Sequence, residues 1–581
     1  MAKLTGRKNR PPEIGQLFLQ GGIIVVAVLV IFWPVLHGDW LWDDDWYLTK
    51  NPLMHDPWRL WKAWFEPGSF VEYYPIQQTV QWVQWQLWGD DTFGYHLTNV
   101  ILHMANALLI WWLFHKLGIR LAWLGGLLFA VHPVVVESVA WIAELKNSLS
   151  LTPFLLSLGF FVDYQERGER RDYLLTLGFF LAAMLCKISM APFPVMMLIY
   201  AWWKRGRIGW NDVKESVPFF VIALVLSVLT LLSGDWYRLR TLAPNDDVVI
   251  GGFLSRLALS GLAISFWFSK CLLPAGLLIV YPKWPVNPPS LIQFLPWPVM
   301  AGLAAWFWKK RSGWGRHALL GCGFFLIMLA PFMGFIPASY MRFTWVMDHF
   351  LYIPIIGLLG LFVLALGKAE DRIPVSFRPA GIALAAVVVG LLIWTSRLHA
   401  ATFVDQETLW TYTLARNPDA FPAHQNLGDV LLMKGQLDDA EKEYREALRI
   451  DPDDARTHSN LAVVLFRKGA SAEGLDHLKR AVALGSQDAE IHGNLAVILA
   501  QSGQIAEALE EYGKSLKIDP NNPKTHANMG LTLSNAGRIP EAIEQYKLSL
   551  KLDPDNPKIQ SWLQELENPP PAAPAPVPAT K

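Results

Sequence analysis

Cysteine is scarce in this chain, with only Cys186, Cys271 and Cys322 in 581 residues. They lie far apart in apolar stretches and form no CxxC pair, which argues against a disulfide framework or a cysteine-based zinc site. Charge is also thin, at 17% of residues, and balanced at 50 basic against 50 acidic. That balance removes any global electrostatic case for nucleic acid. No His/Cys/Asp/Glu cluster with metal-ligand spacing stands out, so no metal and no cofactor is expected, though dependence on a divalent ion stays open. What the chain has in abundance is apolar surface, 52% of residues, a balance that suits a membrane protein.

The apolar residues fall in long runs between 18 and 397. A bilayer core needs about 20 apolar residues per helix. Spans are expected near 18–37, 96–117, 121–143, 147–163, 172–188, 190–203, 214–233, 292–308, 318–337, 349–367 and 379–397. Lys3, Arg7, Lys8 and Arg10 precede the first run. Later basic loops carry Arg167, Arg170 and Arg171, then Lys204, Arg205 and Arg207, then Lys309, Lys310, Arg311 and Arg316. Placing all of these in the cytoplasm puts the loop 38–95 outside. Residues 252–280 are apolar but interrupted by Arg256 and Lys270. Reading them as re-entrant or interfacial gives about eleven spans and leaves the C-terminus outside.

The outer loop 38–95 holds Asp43, Asp44 and Asp45 directly after Trp42. Trp58, Trp61, Trp64 and Phe65 follow at helical spacing, and Trp82, Trp85 and Trp88 repeat the pattern. These read as helices at the membrane surface, either anchoring the chain or covering an active site.

The C-terminal part repeats with a period of 34. Asn426-Leu427-Gly428 returns at Asn460-Leu461-Ala462, Asn494-Leu495-Ala496 and Asn528-Met529-Gly530. Gly435, Gly469, Gly503 and Gly537 keep the interval, and Pro452, Pro520 and Pro554 close three of the repeats, with Ser486 in the second. This is the tetratricopeptide (TPR) pattern, an α-solenoid of helix pairs. The resulting division is a cytoplasmic N-terminus at 1–17 and a transmembrane domain at 18–397. A half repeat follows at 398–420, four repeats at 421–556, a capping helix at 557–568 and a disordered Pro/Ala tail at 569–581. The fold class is all-α.

Several motifs carry a resemblance. Trp42-Asp43-Asp44-Asp45 with Tyr47 and Asn51-Pro52 resembles the first outer loop of the transmembrane-and-TPR-containing O-mannosyltransferases, glycosyltransferases of GT-C type. Tyr73-Tyr74-Pro75-Ile76 is similar to that family's Tyr-Arg-Pro-Leu, and Phe93-Gly94-Tyr95-His96-Leu97-Thr98-Asn99 with His103 to its second-span motif. Phe129-Ala130-Val131-His132-Pro133 with Glu137, Ala140 and Glu144 resembles its third span. Asp348-His349-Phe350-Leu351-Tyr352-Ile353-Pro354 is similar to its late Glu-Arg-Tyr-Leu-Tyr-Leu-Pro. Tyr74 and His349 stand where the family has arginine. The resemblance implies transfer of a mannose-like sugar from a polyprenyl-phosphate donor to a protein hydroxyl at the outer face. A bacterial inner-membrane protein with periplasmic repeats is the corresponding expectation. A non-catalytic TPR scaffold that recruits protein partners, or a lipid-linked glycan ligase, are the alternatives.

Such chemistry needs a base at the acceptor oxygen and positive groups at the leaving phosphate. Asp43, Asp44 and Asp45 are the candidate bases, since a carboxylate just after a span meets both a lipid-borne donor and an aqueous acceptor. His132, Glu137, Lys146 and Lys187 are candidates for the donor site, with Lys187 foremost for the phosphate. Ionisable groups inside spans are costly and tend to be functional. His132 and Glu137 are five apart and share a face only if Pro133 kinks the segment. His96 and His103 fit interhelical hydrogen bonds better than a metal. Asn426, Asn460, Asn494 and Asn528 occupy one position of helix A in each repeat. They are expected to pair with the backbone of an acceptor polypeptide. His424, His458, His492 and His526 either flank that groove or pack between helices.

Overall fold

The computed structural model describes residues 14–51, 53–56, 58–67, 72–241, 248–484 and 488–568. The expected Pro/Ala tail, most of the N-terminal basic segment, Pro52 and Ser486 lie outside those residues. Among the described residues the chain is helical throughout, and it divides into one unit of residues 1–240 and 247–423 and another of 241–246 and 424–581.

The first unit contains α1 (Ile14–Phe32), α2 (Leu60–Phe65), α3 (Pro75–Trp88), α4 (Phe93–Lys116), α5 (Ala122–Val131), α6 (Val136–Ala140), α7 (Leu145–Arg167) and α8 (Arg170–Cys186). It continues with α9 (Phe193–Arg205), α10 (Trp210–Thr241), α11 (Phe253–Leu272), α12 (Pro296–Lys309), α13 (Gly315–Leu329), α14 (Ile355–Glu370), α15 (Arg378–Ala400) and α16 (Gln406–Leu414). Among the described residues seven stretches are long and apolar enough to cross a membrane: 14–37, 93–116, 142–167, 210–233, 291–309, 315–332 and 375–403. The pair α5 and α6, bent by 59° at Pro133, makes an eighth. The condition under which His132 and Glu137 could share a face, a kink at Pro133, is therefore met. The other three expected spans coincide with α8, α9 and α14, which have 17, 13 and 16 residues and fall short of a full crossing by length alone. Short 3₁₀ turns such as Ile188–Met190 and Asp348–Leu351 take up the rest of those apolar runs.

The segment that resisted assignment, 252–280, contains α11. Near its start Arg256 donates to the carbonyl of Phe335 at 2.5 Å, and near its end the Trp267 indole donates to the carbonyl of Met347 at 3.1 Å. Phe335 and Met347 both belong to the connection between α13 and α14. Both parts of α11 are thus tied to the one connection between α13 and α14.

The aromatic pattern of the outer loop separates into two faces. Trp58, Trp61 and Phe65 are exposed, whereas Trp82, Trp85 and Trp88 pack on Leu48, Met54, Tyr95 and Ile142. The second set is core, and the first presents apolar rings outward, as expected of a surface at the headgroup level.

The half repeat expected at 398–420 forms α16 and belongs to the first unit. Asp405 caps it by accepting the Thr408 amide at 2.7 Å. It sits against the loop that follows α1. The Asp39 amide donates to the Val404 carbonyl at 2.7 Å, Gln406 donates to the Trp40 carbonyl at 3.3 Å, and the Trp42 and Trp410 rings meet edge-on at 5.2 Å. The end of α15 and the end of α1 therefore share one side. An even number of crossings must separate them, which eleven spans with a non-crossing α11 satisfies.

The second unit carries the repeats as helix pairs: α17 (Phe421–Met433) with α18 (Leu437–Ile450), α19 (Ala455–Arg467) with α20 (Ser471–Ala483), α21 (Ala489–Gln501) with α22 (Ile505–Ile518), and α23 (Pro523–Asn535) with α24 (Ile539–Leu552). The capping helix is α25 (Pro557–Glu567). The period is visible as chemistry. Asp454, Asp488, Asn522 and Asn556, 34 apart, each cap a helix by accepting an amide of its first turn. Gly435, Gly469, Gly503 and Gly537 turn the chain between paired helices at φ of 74 to 85°, where only glycine is unstrained. Gly428 admits Tyr444, whose ring would lie 2.7 Å from a Cβ placed there. A reporter fused after residue 565 should read on the same side as one in the loop 38–95, and opposite one in the loop 309–316. A reporter after 565 that sides with the 309–316 loop would mean that α11 crosses.

Candidate active site

The three aspartates of the outer loop have different surroundings. Asp44 is fully buried, and its two carboxylate oxygens accept the Leu41 amide at 2.8 Å and the Ala143 amide at 2.7 Å. Burial pushes its carboxyl well above the usual range, and the two amides pull it back. Asp45 accepts the Thr49 hydroxyl at 2.8 Å and pairs with Lys50 at 2.7 Å. Asp43 is half-buried, and among the described residues its side chain has neither a hydrogen-bond nor an ion-pair partner. Burial pushes its carboxyl up to about 6. Lys146 opposes that rise, and Glu144 and Glu72 add to it.

Those neighbours form a connected cluster. Lys146 donates to the Tyr47 hydroxyl at 3.3 Å and to Glu72 at 3.4 Å, and lies 3.6 Å from Glu144. Tyr47 donates to Glu72 at 3.0 Å. Lys187, where α8 ends, donates to Asn147 Oδ1 at 2.5 Å and lies 3.9 Å from Glu144. The Asn147 amide donates to Glu144. His349 Nδ1 donates to Glu137 at 2.6 Å, and its Nε2 lies 3.9 Å from Glu144. Glu144, almost fully buried, is thus the acidic centre around which Lys146, Lys187 and His349 gather. Unpaired buried ions are costly, and this arrangement gives each lysine an opposite partner in Glu144, while the His349 ring hydrogen-bonds Glu137. Beside it Lys187, Asn147, Ser189, His349 and Phe350 enclose a space of about 10 Å³, room for one water.

Glu137, Lys146 and Lys187 are thus brought together, but His132 is not linked to them. Its Nε2 donates to the Cys271 carbonyl at 3.1 Å and its Nδ1 accepts the Val134 amide at 3.3 Å, so it caps the turn at Pro133 and ties α11 down. His103 bridges the Tyr352 hydroxyl at 2.9 Å and the Ala130 carbonyl at 3.1 Å, the interhelical role expected of it. The sequence reading passed over Glu72 and Asn147. Glu72 directly precedes the Tyr73-Tyr74-Pro75 motif and Asn147 directly follows Lys146. Adjacency to those motifs was the available signal. Two buried carboxylate oxygens, Glu137 Oε2 and Asp348 Oδ1, have no partner among the described residues.

In the second unit the position-four histidines pack within repeats. His424 meets Glu443, His492 meets Glu511, His526 meets Gln545 and His458 meets His477, at 2.6 to 2.8 Å. The asparagines differ from one another. The Asn460 amide donates to Asp429 at 2.8 Å and the Asn494 amide to Ser459 at 3.0 Å, each reaching back to the preceding repeat. Asn528 is exposed.

The fold and these clusters describe a helical protein with membrane-spanning segments, an ionised pocket at one end of its bundle, and TPR repeats. Residues 75–233 match the family model described as dolichyl-phosphate-mannose-protein mannosyltransferase, and residues 428–469, 498–537 and 523–556 match TPR models. The chain is similar to a protein O-mannosyl-transferase of Caenorhabditis elegans, at 24% identity over 74% of this chain and 62% of that one. It is likewise similar to the protein O-mannosyl-transferase TMTC4 of Mus musculus, at 24% identity over 73% and 67%. It is thus a relative of the TPR-bearing protein O-mannosyl-transferases, as its motifs indicated, and it spans about two thirds of the length of the curated relatives it matches. Among solved structures, the TPR protein YrrB aligns at 23% identity over 30% of this chain and 87% of its own, with a TM-score of 0.23.

The two neighbouring aspartates should respond differently to the same change. Asp44→Asn loses an acceptor for a buried amide and should lower stability by about 1–3 kcal/mol. Asp43 is raised in the folded state, so its contribution to stability falls as pH rises through about 6, and Asp43→Asn should melt no lower than the parent at pH 7. Thermal unfolding of both variants, followed in detergent at pH 7, checks the pair.

Proposed function

We propose that the chain is a membrane glycosyltransferase that moves a mannose-like sugar from a polyprenyl-phosphate donor to a hydroxyl of a protein acceptor, with Asp43 as the base. The single observation that carries this reading is the Asp43 carboxylate. It is half-buried, without a partner, raised to about 6, and within electrostatic reach of Lys146. A general base works best when its pKa lies near the operating pH and its oxygen is free to take a proton.

In this reading the acceptor hydroxyl gives its proton to Asp43 as its oxygen bonds to the anomeric carbon. The bond between that carbon and the donor phosphate oxygen breaks, and the phosphate leaves with the electron pair. Lys187 meets the developing charge, while Lys146 and Glu144 keep the field around it balanced. Asp44 holds the loop and Asp45 serves as its neighbour. Tyr74 and His349, at positions where relatives have arginine, leave the two lysines as the cations available to phosphate. The basic loops at 164–171, 204–207 and 309–316 suit the cytoplasmic side, which sets Asp43 on the outer face, the periplasmic one in a bacterial inner membrane. The repeats, entered through α16 beside the Asp43 loop, hold the acceptor polypeptide. Asn528 is the free member of the asparagine series. Asn460 and Asn494, whose amides are engaged, add their carbonyl oxygens.

Purified protein given polyprenyl-phosphate mannose and acceptor peptides should yield hexose-bearing peptide by mass spectrometry. Asp43→Asn should lower turnover by at least about 100-fold. Because the base must be ionised, kcat/KM should rise with pH and level off above about 6. Full turnover by Asp43→Asn would remove Asp43 from the role. Asn528→Ala should raise the peptide Kd by about fivefold, the loss of one hydrogen bond, with the melting temperature unchanged. Asn460→Ala should also lower the melting temperature, since its amide links two repeats. Unchanged peptide affinity in both variants would refute acceptor binding by this series.

A further inference from the structure

At the end of the bundle opposite Asp43 lies a much larger cavity, of about 340 Å³. It opens between the last turns of α4, α7, α9 and α14 and the first turns of α13. Its walls are apolar, with Leu158, Phe161, Leu320, Phe324 and Leu364 among them. Glycines let the walls of the cavity approach one another closely. A Cβ on Gly357 would stand 2.4 Å from the Gly321 carbonyl, so the backbones of α13 and α14 touch there, and Gly360 and Gly367 continue the lining. The volume falls in the range of small-ligand sites.

The charges at the mouth are unevenly compensated. Arg120 is held by Glu370 at 2.9 Å and by Asp371, and Lys116 by Asp163 at 2.5 Å. Lys368, exposed at the rim, has no acidic partner among the described residues, and Arg316 Nε is buried without a hydrogen bond. Between them His317 lines the cavity and accepts the Trp203 indole on Nδ1 at 3.0 Å, which leaves its Nε2–H as a donor. Trp203 and Tyr200 at the same rim, and the stacked Trp202 and Trp308 nearby, are side chains of a membrane–water interface. An apolar slot with the unpaired Lys368 and an imidazole N–H in its lining, and Arg316 adjoining His317 in the chain, complements one kind of molecule. It is an amphiphile with a hydrocarbon tail and an anionic head.

We propose that this cavity binds an anionic phospholipid of the leaflet opposite the Asp43 side, one acyl chain lying along its apolar walls from α4, α7, α13 and α14 and the phosphodiester held by Arg316, His317 and Lys368. The site is separate from the sugar-transfer chemistry and does not rest on it. Phosphatidylglycerol and phosphatidylcholine of identical chains, titrated into the full chain in nonionic detergent and read by native mass spectrometry, provide the test. Phosphatidylglycerol should be retained as a single adduct at least about tenfold more tightly. The double variant Arg316→Gln/Lys368→Gln should lose that preference, and Leu364→Trp, which fills the slot, should lose the adduct. Asp43→Asn should bind as the parent does, so a failed transferase assignment leaves this result untouched. Melting without lipid shows whether each variant folds, and if Leu364→Trp does not, the charge variant decides alone. Equal retention of the two lipids, or an unaltered preference in the charge variant, overturns the proposal. So does displacement of phosphatidylglycerol by equimolar polyprenyl phosphate, which would give the cavity to the sugar donor.

Discussion

The end of the bundle that carries Asp43 depends on the buried carboxylate of Asp44. It joins the Leu41 amide, three residues back, to the Ala143 amide, 99 residues on. A carboxyl whose two oxygens each accept a buried N–H fixes two chain segments at once, and removing it leaves both donors unmatched. Through this bond the loop after α1 and the start of α7 keep a fixed distance. Asp43 is the residue before Asp44, and Glu144, Lys146 and Asn147 are the residues just after Ala143. The carboxylate that touches both strands of the site is therefore what sets one beside the other.

Charge balance constrains the rest. Glu144 sits among Lys146, Lys187 and His349, and none of these could occupy so dry a place alone. With their partners fixed, Asp43 is the carboxylate left over. Its raised proton affinity follows from that position: burial with too little positive charge to offset it. A binding mode that brings a phosphate to Lys187 would further change that balance, because an anion there competes with Glu144 for the same ammonium.

The sequence made the repeats legible down to single residues, because a period of 34 samples every position four times. The glycine turns fell where the period put them, and the structure added caps at the same interval, at Asp454, Asp488, Asn522 and Asn556. The membrane half was legible in outline. Apolar runs located the helices, but length alone did not separate a full crossing from a helix completed by a 3₁₀ turn, as at α8 and α14. Arg256 and Lys270 are what distinguished α11 from the uninterrupted apolar runs. The outer aspartates could be named but not ranked, because their roles differ only through amides contributed from residues 41 and 143. His132 read as a donor-site residue for the same reason, since nothing near it in sequence reveals the Cys271 carbonyl that engages its ring. The asparagine series looked uniform in sequence and is not, because the residues at 429 and 459 that take up two of its amides do not repeat.

The helix α16 gives the molecule an unexpected seam. Hydrophobic sequence stops near residue 403, yet the compact membrane-side unit runs on to Ala423. The intervening stretch lays Val404, Gln406 and Trp410 against Asp39, Trp40 and Trp42, and anchors Asn417 to the Val280 carbonyl at 3.1 Å. A piece of solenoid has in effect been annexed by the bundle as a foundation stone. Tension on the chain as it leaves for the repeats reaches that stone before it reaches any transmembrane helix, and the stone rests on the ring of Trp42, one peptide bond from Asp43. The lever arm between a tug on the solenoid and the residue next to Trp42 is a single aromatic contact long.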